Sequence, residues 1–266
     1  MKRVRLDINC DLGESFGVYK YGADAEMMPM ITSANIACGA HAGDPTVMRE
    51  SVDLALLHGV SIGAHVGFDD RNGFGRREIP TTPQQAYDLC LYQVGALDAF
   101  VRAAGSSVKH LKPHGALYMM ANRERGLAEA VCRAVISWNP GLFLYVLPGS
   151  ELFRHATDAG LRVVAEAFAD RPYCGTEVQM YDRTPEFVGG SEDVVARTLT
   201  QLNGPHRDQI RSVCLHSDTA GAPTLLRALR AALTEVGFTF AAPTAVIDND
   251  VLGQAADNLL IQKGLE

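Results

Sequence analysis

Residues 33–45 read SANIACGAHAGDP. The stretch begins as a strand of small and apolar residues, Ala34 to Cys38, and turns through Gly39 and Gly43. It ends on Asp44–Pro45, an N-cap followed by a residue whose fixed φ suits the first helical position. One strand-to-helix passage is therefore written in a single short segment. Asn35 and His41 have no duty in that passage, and His41 lies where the strand ends.

The same order recurs on either side. Strand patterns lie at 4–10, 34–38, 61–66, 110–113, 142–148, 162–168 and 212–216, with a last short one at 244–247. Helical patterns fall at 44–59, 81–105, 123–138, 150–160, 191–204 and 221–237. Strand and helix alternate about seven times, which implies parallel strands joined by helical crossovers. So many units in 266 residues favour a closed α/β barrel, one domain over 1–266, rather than an open doubly wound sheet. No G-x-G-x-x-G follows the first strand, which weakens the dinucleotide-binding alternative. The segment 171–191 is long, polar and rich in Gly and Pro, and is expected to form a lid or binding loop.

The net charge of -7 argues against nucleic acid or an anionic membrane as partner. There is no apolar run long enough for a membrane span, and Asp7 and Asp11 interrupt the N-terminal apolar stretch too early for a signal peptide. The six cysteines form no C-x-x-C pair. A cytoplasmic chain with reduced thiols is expected.

Ligands of parallel α/β folds bind at the carboxyl ends of the strands. Those ends carry Asp7, Asn9, Asp11 and Glu14; Asn35 and His41; His65; Lys112 and His114; Glu166, Asp170 and Arg171; and His216 and Asp218. In a barrel they converge on one mouth. An inward Asp7 needs a partner, and Lys112 is the expected one. Gly73 and Gly75 in GFGRR allow close backbone approach to a ligand, and Arg76 and Arg77 supply planar cationic forks for carboxylate or phosphate. There is no G-x-x-x-x-G-K-[ST] phosphate loop.

The segments DINCDLGESFG (7–17), SANIACGAHAGDP (33–45), IGAHVGFDDRNGFGRRE (62–78), LKPHGALY (111–118), EAFADRPY (166–173) and CLHSDTAGA (214–222) occur in this order. With them the chain resembles the LamB/YcsF family over most of its length, from about Asp7 to Leu233. The resemblance implies a seven-stranded (β/α) barrel of the glycoside hydrolase/deacetylase type. It also implies a share in the ATP-dependent opening of 5-oxoproline, a lactam, to glutamate, with ATP as co-substrate and two further 5-oxoprolinase subunits, B and C, as partners. Loops at 65–70, 177–183 and 216–218 depart from the family pattern and leave the lactam open.

Ring opening requires water activation, a proton for the leaving nitrogen and cations for anionic groups. Asp11, Glu14, His41, His65 and His114 are the expected catalytic groups. Asp7, Asn9, Asn35, Arg76, Arg77, Lys112, Glu166, Asp170, Arg171, His216 and Asp218 are expected to bind substrate, with Arg76, Arg77 and Lys112 holding its anions and Asn35 stabilising developing negative charge. A rival reading is a metal-dependent amide hydrolase, with a divalent ion held by members of Asp11, His41, His65 and His114. A third is a non-catalytic binding subunit. Each leaves room for a homo-oligomer.

Overall fold

In the computed structural model, which describes residues 4–175 and 177–243, seven parallel strands close into a barrel. They are β1 (Val4–Leu12), β2 (Ser33–Ala37), β3 (Ser61–Val66), β4 (His110–Pro113), β5 (Phe143–Val146), β6 (Arg162–Phe168) and, after a small antiparallel hairpin of β7 (Tyr173–Cys174) and β8 (Glu177–Val178), β9 (Ile210–Cys214). Each pairs with the next, and β9 closes the circle on β1 through Asp7↔Ser212 and Asn9↔Cys214. A short β10 (Phe238–Phe240) pairs with the first residues of β1, Val4 to Leu6. The strand pattern at 244–247 lies outside the described residues. Helices α1 (Asp24–Met27), α2 (Pro45–Leu57), α3 (Pro83–Ala103), α4 (Gly115–Arg123), α5 (Arg125–Trp138), α6 (Glu151–Asp158), α7 (Pro185–Val188), α8 (Ser191–Leu202) and α9 (Ala222–Glu235) occupy the connections. None of the described helices is long and apolar enough to cross a membrane.

The passage at 33–45 behaves as its residues dictate. Asp44 caps α2, its Oδ1 accepting from Val47 N at 2.9 Å. Its Oδ2 accepts from Gly17 N at 2.8 Å, so the cap also ties down the loop after β1. Thr82 and Gln85 form a reciprocal capping box at the start of α3.

Side chains alternate across each strand. On β1, Leu6, Ile8, Cys10 and Leu12 belong to the apolar layer between strands and helices. Each fully buried residue of this kind stabilises the fold by roughly 1.5–3 kcal/mol. The other face of β1 sends Asp7, Asn9 and Asp11 into the barrel, where they are almost wholly buried. Neighbouring strands add Ser33, Asn35, His65, His110, Lys112, Tyr145, Glu166, Ser212 and Cys214, also buried. The interior is thus packed with polar groups, and its stability depends on their mutual satisfaction.

At the amino-terminal end, Asp7 is not paired with Lys112. Thr32 Oγ1 and Ser33 Oγ donate to it at 2.6 and 2.7 Å, Tyr145 Oη donates at 2.7 Å, and Ser212 Oγ adds a short bond. Hydroxyls on the two adjoining strands and across the barrel replace the expected cation, because Lys112 lies one layer further up. In that layer Asn9 Oδ1 accepts from Asn35 Nδ2 at 2.8 Å and from Lys112 Nζ at 3.1 Å. Gly63 makes room for the His110 ring: a Cβ there would lie 2.0 Å from His110 Cδ2 and Nε2. His110 Nε2 bonds Asn35 Oδ1 at 2.8 Å, and Asn35 Nδ2 donates to Asp11 Oδ1 at 2.8 Å. The packing of one glycine is therefore linked to the barrel mouth.

Candidate metal centre and active site

Asp11 stands at the top of β1, and both its oxygens are engaged. Oδ1 takes Asn35 Nδ2 and lies 3.1 Å from Lys112 Nζ. Oδ2 lies 3.1 Å from His65 Nε2 and 3.4 Å from His216 Nε2. Burial pushes the Asp11 carboxyl up, but His65, Lys112 and His216 outweigh it and hold it well below the usual carboxylate range.

The three nearest imidazoles have their tautomers set from behind. His65 Nδ1 lies 3.1 Å from the Lys112 carbonyl, a partner that only accepts. His114 Nε2 lies 2.7 Å from the Phe74 carbonyl. His216 Nδ1 lies 3.0 and 3.2 Å from the two Asp170 oxygens. In its neutral form each ring would present a lone pair on its other nitrogen: those of His65 and His216 toward Asp11 Oδ2, that of His114 toward His65. His65 Nε2 and His114 Nδ1 are only 2.9 Å apart. Two ring nitrogens at that distance are joined either by one proton or by a metal ion. Buried imidazoles beside carboxylates are donors of the kind that suits a divalent ion such as zinc. Burial and the neighbouring cationic and imidazole groups keep His114 well below its ordinary range, so its lone pair stays free.

His41 lies further out. Its ring stacks on His114 with centroids 3.7 Å apart, and its Nε2 is 3.2 Å from Glu14 Oε1. Glu14, His41, His65 and His114 each offer a ligand atom within 4.8 Å of the others, as do Asp11, Cys214 and His216. Burial, then the Asp218 and Asp11 carboxylates, push the Glu14 carboxyl well above its ordinary range. Gly75 approaches these rings rather than a ligand: a Cβ on it would meet His41 Cβ at 2.7 Å and His114 Cδ2 at 2.9 Å.

The remaining expected residues fall into two groups. Lys112 is held 2.9 Å from Glu166, and Asn9 Nδ2 donates to Glu166 at 3.0 Å, so these support Asp11 from below. Asp170 joins Arg171, Thr219 and His216, and Asp218 meets Arg76 at 3.1 Å and Arg183 at 2.9 Å. Two residues lie outside the cluster. Asp7 is at the opposite end, and Arg77 is solvent-facing and paired with Asp70, which also caps Gly73 N at 3.0 Å. His110 opens β4 and His114 follows its last residue, so only His114 reaches the mouth.

A cavity of about 20 Å³ beside the centre is lined by Asp11, His65, Arg76, Lys112, Tyr118 and Met180, among others. Nothing in the sequence pattern singles out Tyr118 or Met180. The turn after β8 covers the cavity: Met180 O accepts from Arg171 Nε at 3.0 Å, and Arg183 reaches Asp218. The segment expected as a lid or binding loop forms a hairpin and the short helix α7 rather than an open loop.

Comparisons with known proteins give the chain's family and fold. The LamB/YcsF family model matches residues 6–248. A 5-oxoprolinase subunit from Tolumonas auensis is 43% identical over 244 residues, covering 88% of this chain and 97% of that protein. Its counterpart from Brevibacillus brevis is 46% identical over 247 residues, covering 89% and 97%. The solved lactam utilization protein from Thermus thermophilus superposes with a TM-score of 0.81 at 40% identity, over 90% of this chain and all of that one. The catalytic domain of a peptidoglycan N-acetylglucosamine deacetylase from Eubacterium rectale, 11% identical, shares the fold with a TM-score of 0.51 over 92% of this chain and 90% of that one. By family model, sequence identity and fold, the chain belongs to the LamB/YcsF family.

Proposed function

We propose that this chain performs the hydrolytic half of a 5-oxoprolinase reaction, the attack of water on the ring carbonyl of 5-oxo-L-proline to give L-glutamate. The observation that carries the reading is the approach of His65 Nε2 and His216 Nε2 to Asp11 Oδ2, with His114 Nδ1 against His65, in a chain whose relatives at 43% and 46% identity are named as 5-oxoprolinase subunits. A divalent ion held by Asp11, His65, His114 and His216 would lower the pKa of a bound water and polarise the amide carbonyl.

The chain's own residues prepare that chemistry. Lys112 and Asn35 fix Asp11 Oδ1 and so aim Oδ2 at the centre. Asp170 and the carbonyls of Lys112 and Phe74 orient the three imidazoles and raise their basicity. Glu14 is placed to hold the proton that the ring nitrogen takes as the C–N bond breaks, with His41 Nε2 beside it at 3.2 Å. The cover over the cavity excludes water and must move for substrate to enter, because about 20 Å³ holds little more than one water.

The ATP-consuming step is assigned to the other members of the multi-subunit assembly that the relatives' name implies. The sequence has no G-x-x-x-x-G-K-[ST] loop, and the centre is ringed by carboxylates that disfavour a polyphosphate. Reconstitution with the companion subunits, ATP and 5-oxo-L-proline tests the reading. Wild type releases glutamate, and Asp11→Asn lowers the release by at least about 100-fold, the scale of losing one catalytic group. Near-normal release by the variant contradicts it.

A further inference from the structure

The cations around the mouth are committed to different degrees. Lys112 Nζ is surrounded by Asp11, Glu166, Asn9 Oδ1 and Cys214 Sγ, all within 3.2 Å, and has no hydrogen left for a ligand. Arg77 is paired with Asp70 away from the cavity. Arg171 gives Nε to Met180 O and Nη1 to Asp170, and its Nη2 lies 3.9 Å from Asp218 Oδ1.

Arg76 is different. Its Nη2 donates to Asp218 Oδ2 at 3.1 Å, and its guanidinium carbon lies 4.9 Å from the centre of the Phe74 ring, so the fork is held in place. Its Nη1 is buried and has no partner. Arg76 lines the same cavity as Asp11, His65, Lys112, His114 and His216. A buried guanidinium N–H without an acceptor is costly, and a fixed one that faces a reaction centre is preorganised for an anion.

We infer that Arg76 Nη1, seconded by Arg171 Nη2, anchors a carboxylate carried by the substrate beside its scissile amide. The inference rests on the hydrolytic reading above and deepens it: Arg76 is the residue that selects a lactam bearing a carboxylate over an uncharged cyclic amide. A carboxylate is favoured over a phosphoryl group because the carboxylates of Asp11, Asp170 and Asp218 crowd the same region. One free guanidinium edge there matches a monoanion better than a dianion.

Titration calorimetry on the full chain, wild type, Arg76→Gln and Arg76→Lys, tests this with three probes: 5-oxo-L-proline, its carboxamide counterpart and inorganic phosphate. Wild type binds the carboxylate about 10- to 100-fold more tightly than the carboxamide, the range of a charge-assisted hydrogen bond. Arg76→Gln loses that preference, and Arg76→Lys, which keeps the charge, recovers part of it. An unchanged preference in Arg76→Gln overturns the inference, as does a wild type indifferent to the carboxylate. Loss of phosphate binding alone in Arg76→Gln assigns the anion to a phosphoryl group and overturns it as well. Failure of the hydrolytic reading shows separately, as absence of glutamate release by the reconstituted wild-type enzyme.

Discussion

Gly63→Ala is a small change with a large expected effect. The added methyl would sit 2.0 Å from His110 Cδ2 and Nε2 and 2.4 Å from Cε1, so the ring must leave its place. His110 is buried and packs 4.6 Å from the Tyr145 ring, which leaves it little room. Its bond to Asn35 Oδ1 is then lost, and Asn35 no longer holds Asp11 Oδ1 in register. Overpacking contributes about 1–3 kcal/mol of destabilisation. A buried acceptor left unpaired contributes about 1–3 kcal/mol more. The total, roughly 2–6 kcal/mol, lowers Tm by about 5–20 °C in a chain of this size. Thermal and urea unfolding measure it. Gly95→Ala, in the middle of α3 with Trp138 at 3.9 Å as its nearest obstacle, is the control, and it raises stability by about 0.5–1 kcal/mol. In the double variant Gly63→Ala/His110→Ala the obstructing ring is gone, so the two changes cost less together than their separate sum. A Gly63→Ala protein within about 0.5 kcal/mol of wild type, the scatter of neutral substitutions, refutes the reasoning.

Three further outcomes follow from the same geometry. Lys112→Met leaves Asp11 and Glu166 buried without their cation and destabilises the chain by about 3–5 kcal/mol in urea unfolding, the cost of breaking a buried pair. Tyr145→Phe removes a donor from Asp7 at the far end of the barrel; it costs about 1–3 kcal/mol in stability and leaves the KM for substrate unchanged. Burial, then the neighbouring Lys112 and His65 side chains, push His110 from 6.5 down to about 3. The unfolded chain therefore binds this proton below pH 6.5 while the folded chain does not. Stability is full above that pH and falls by about 1.4 kcal/mol per unit as pH drops from 6.5 toward 3. His110→Gln reduces the slope of stability against pH between 6 and 5 by one proton, and an unchanged slope contradicts the assignment.

The barrel was legible because its strands carry both signals at once: apolar outward positions and turn residues at each end. Ser61–Val66, His110–Pro113 and Arg162–Phe168 fall on the structure residue for residue. That strand-end groups gather at one mouth was legible too, since parallel strands bring their carboxyl ends together, but the sequence points to Asp11, His41, His65 and His114 as the ion ligands and to His216 as a substrate contact. What was not legible was layer and commitment. Asp7 and Asp11 have the same type and face, and only the cross-strand register sends Lys112 to the second. Arg76 and Arg77 are adjacent, yet one enters the cavity and the other pairs with Asp70, because the turn at Arg71–Gly73 decides which points inward. The role of Gly63 depends on a ring from another strand. Tyr118 and Met180 are apolar-pattern residues, and only packing turns them toward the centre. The short β10 was missed because its FTF pattern is brief and joins an edge of β1 that sequence alone cannot assign.

The central proposal is that Asp11, His65, His114 and His216 together hold a divalent ion. Metal analysis of protein purified without chelator tests it most directly. Wild type is expected to carry about one divalent ion per chain, and Asp11→Asn/His65→Gln to lose it. Metal-free wild-type protein that supports full glutamate release in the reconstituted enzyme would contradict it.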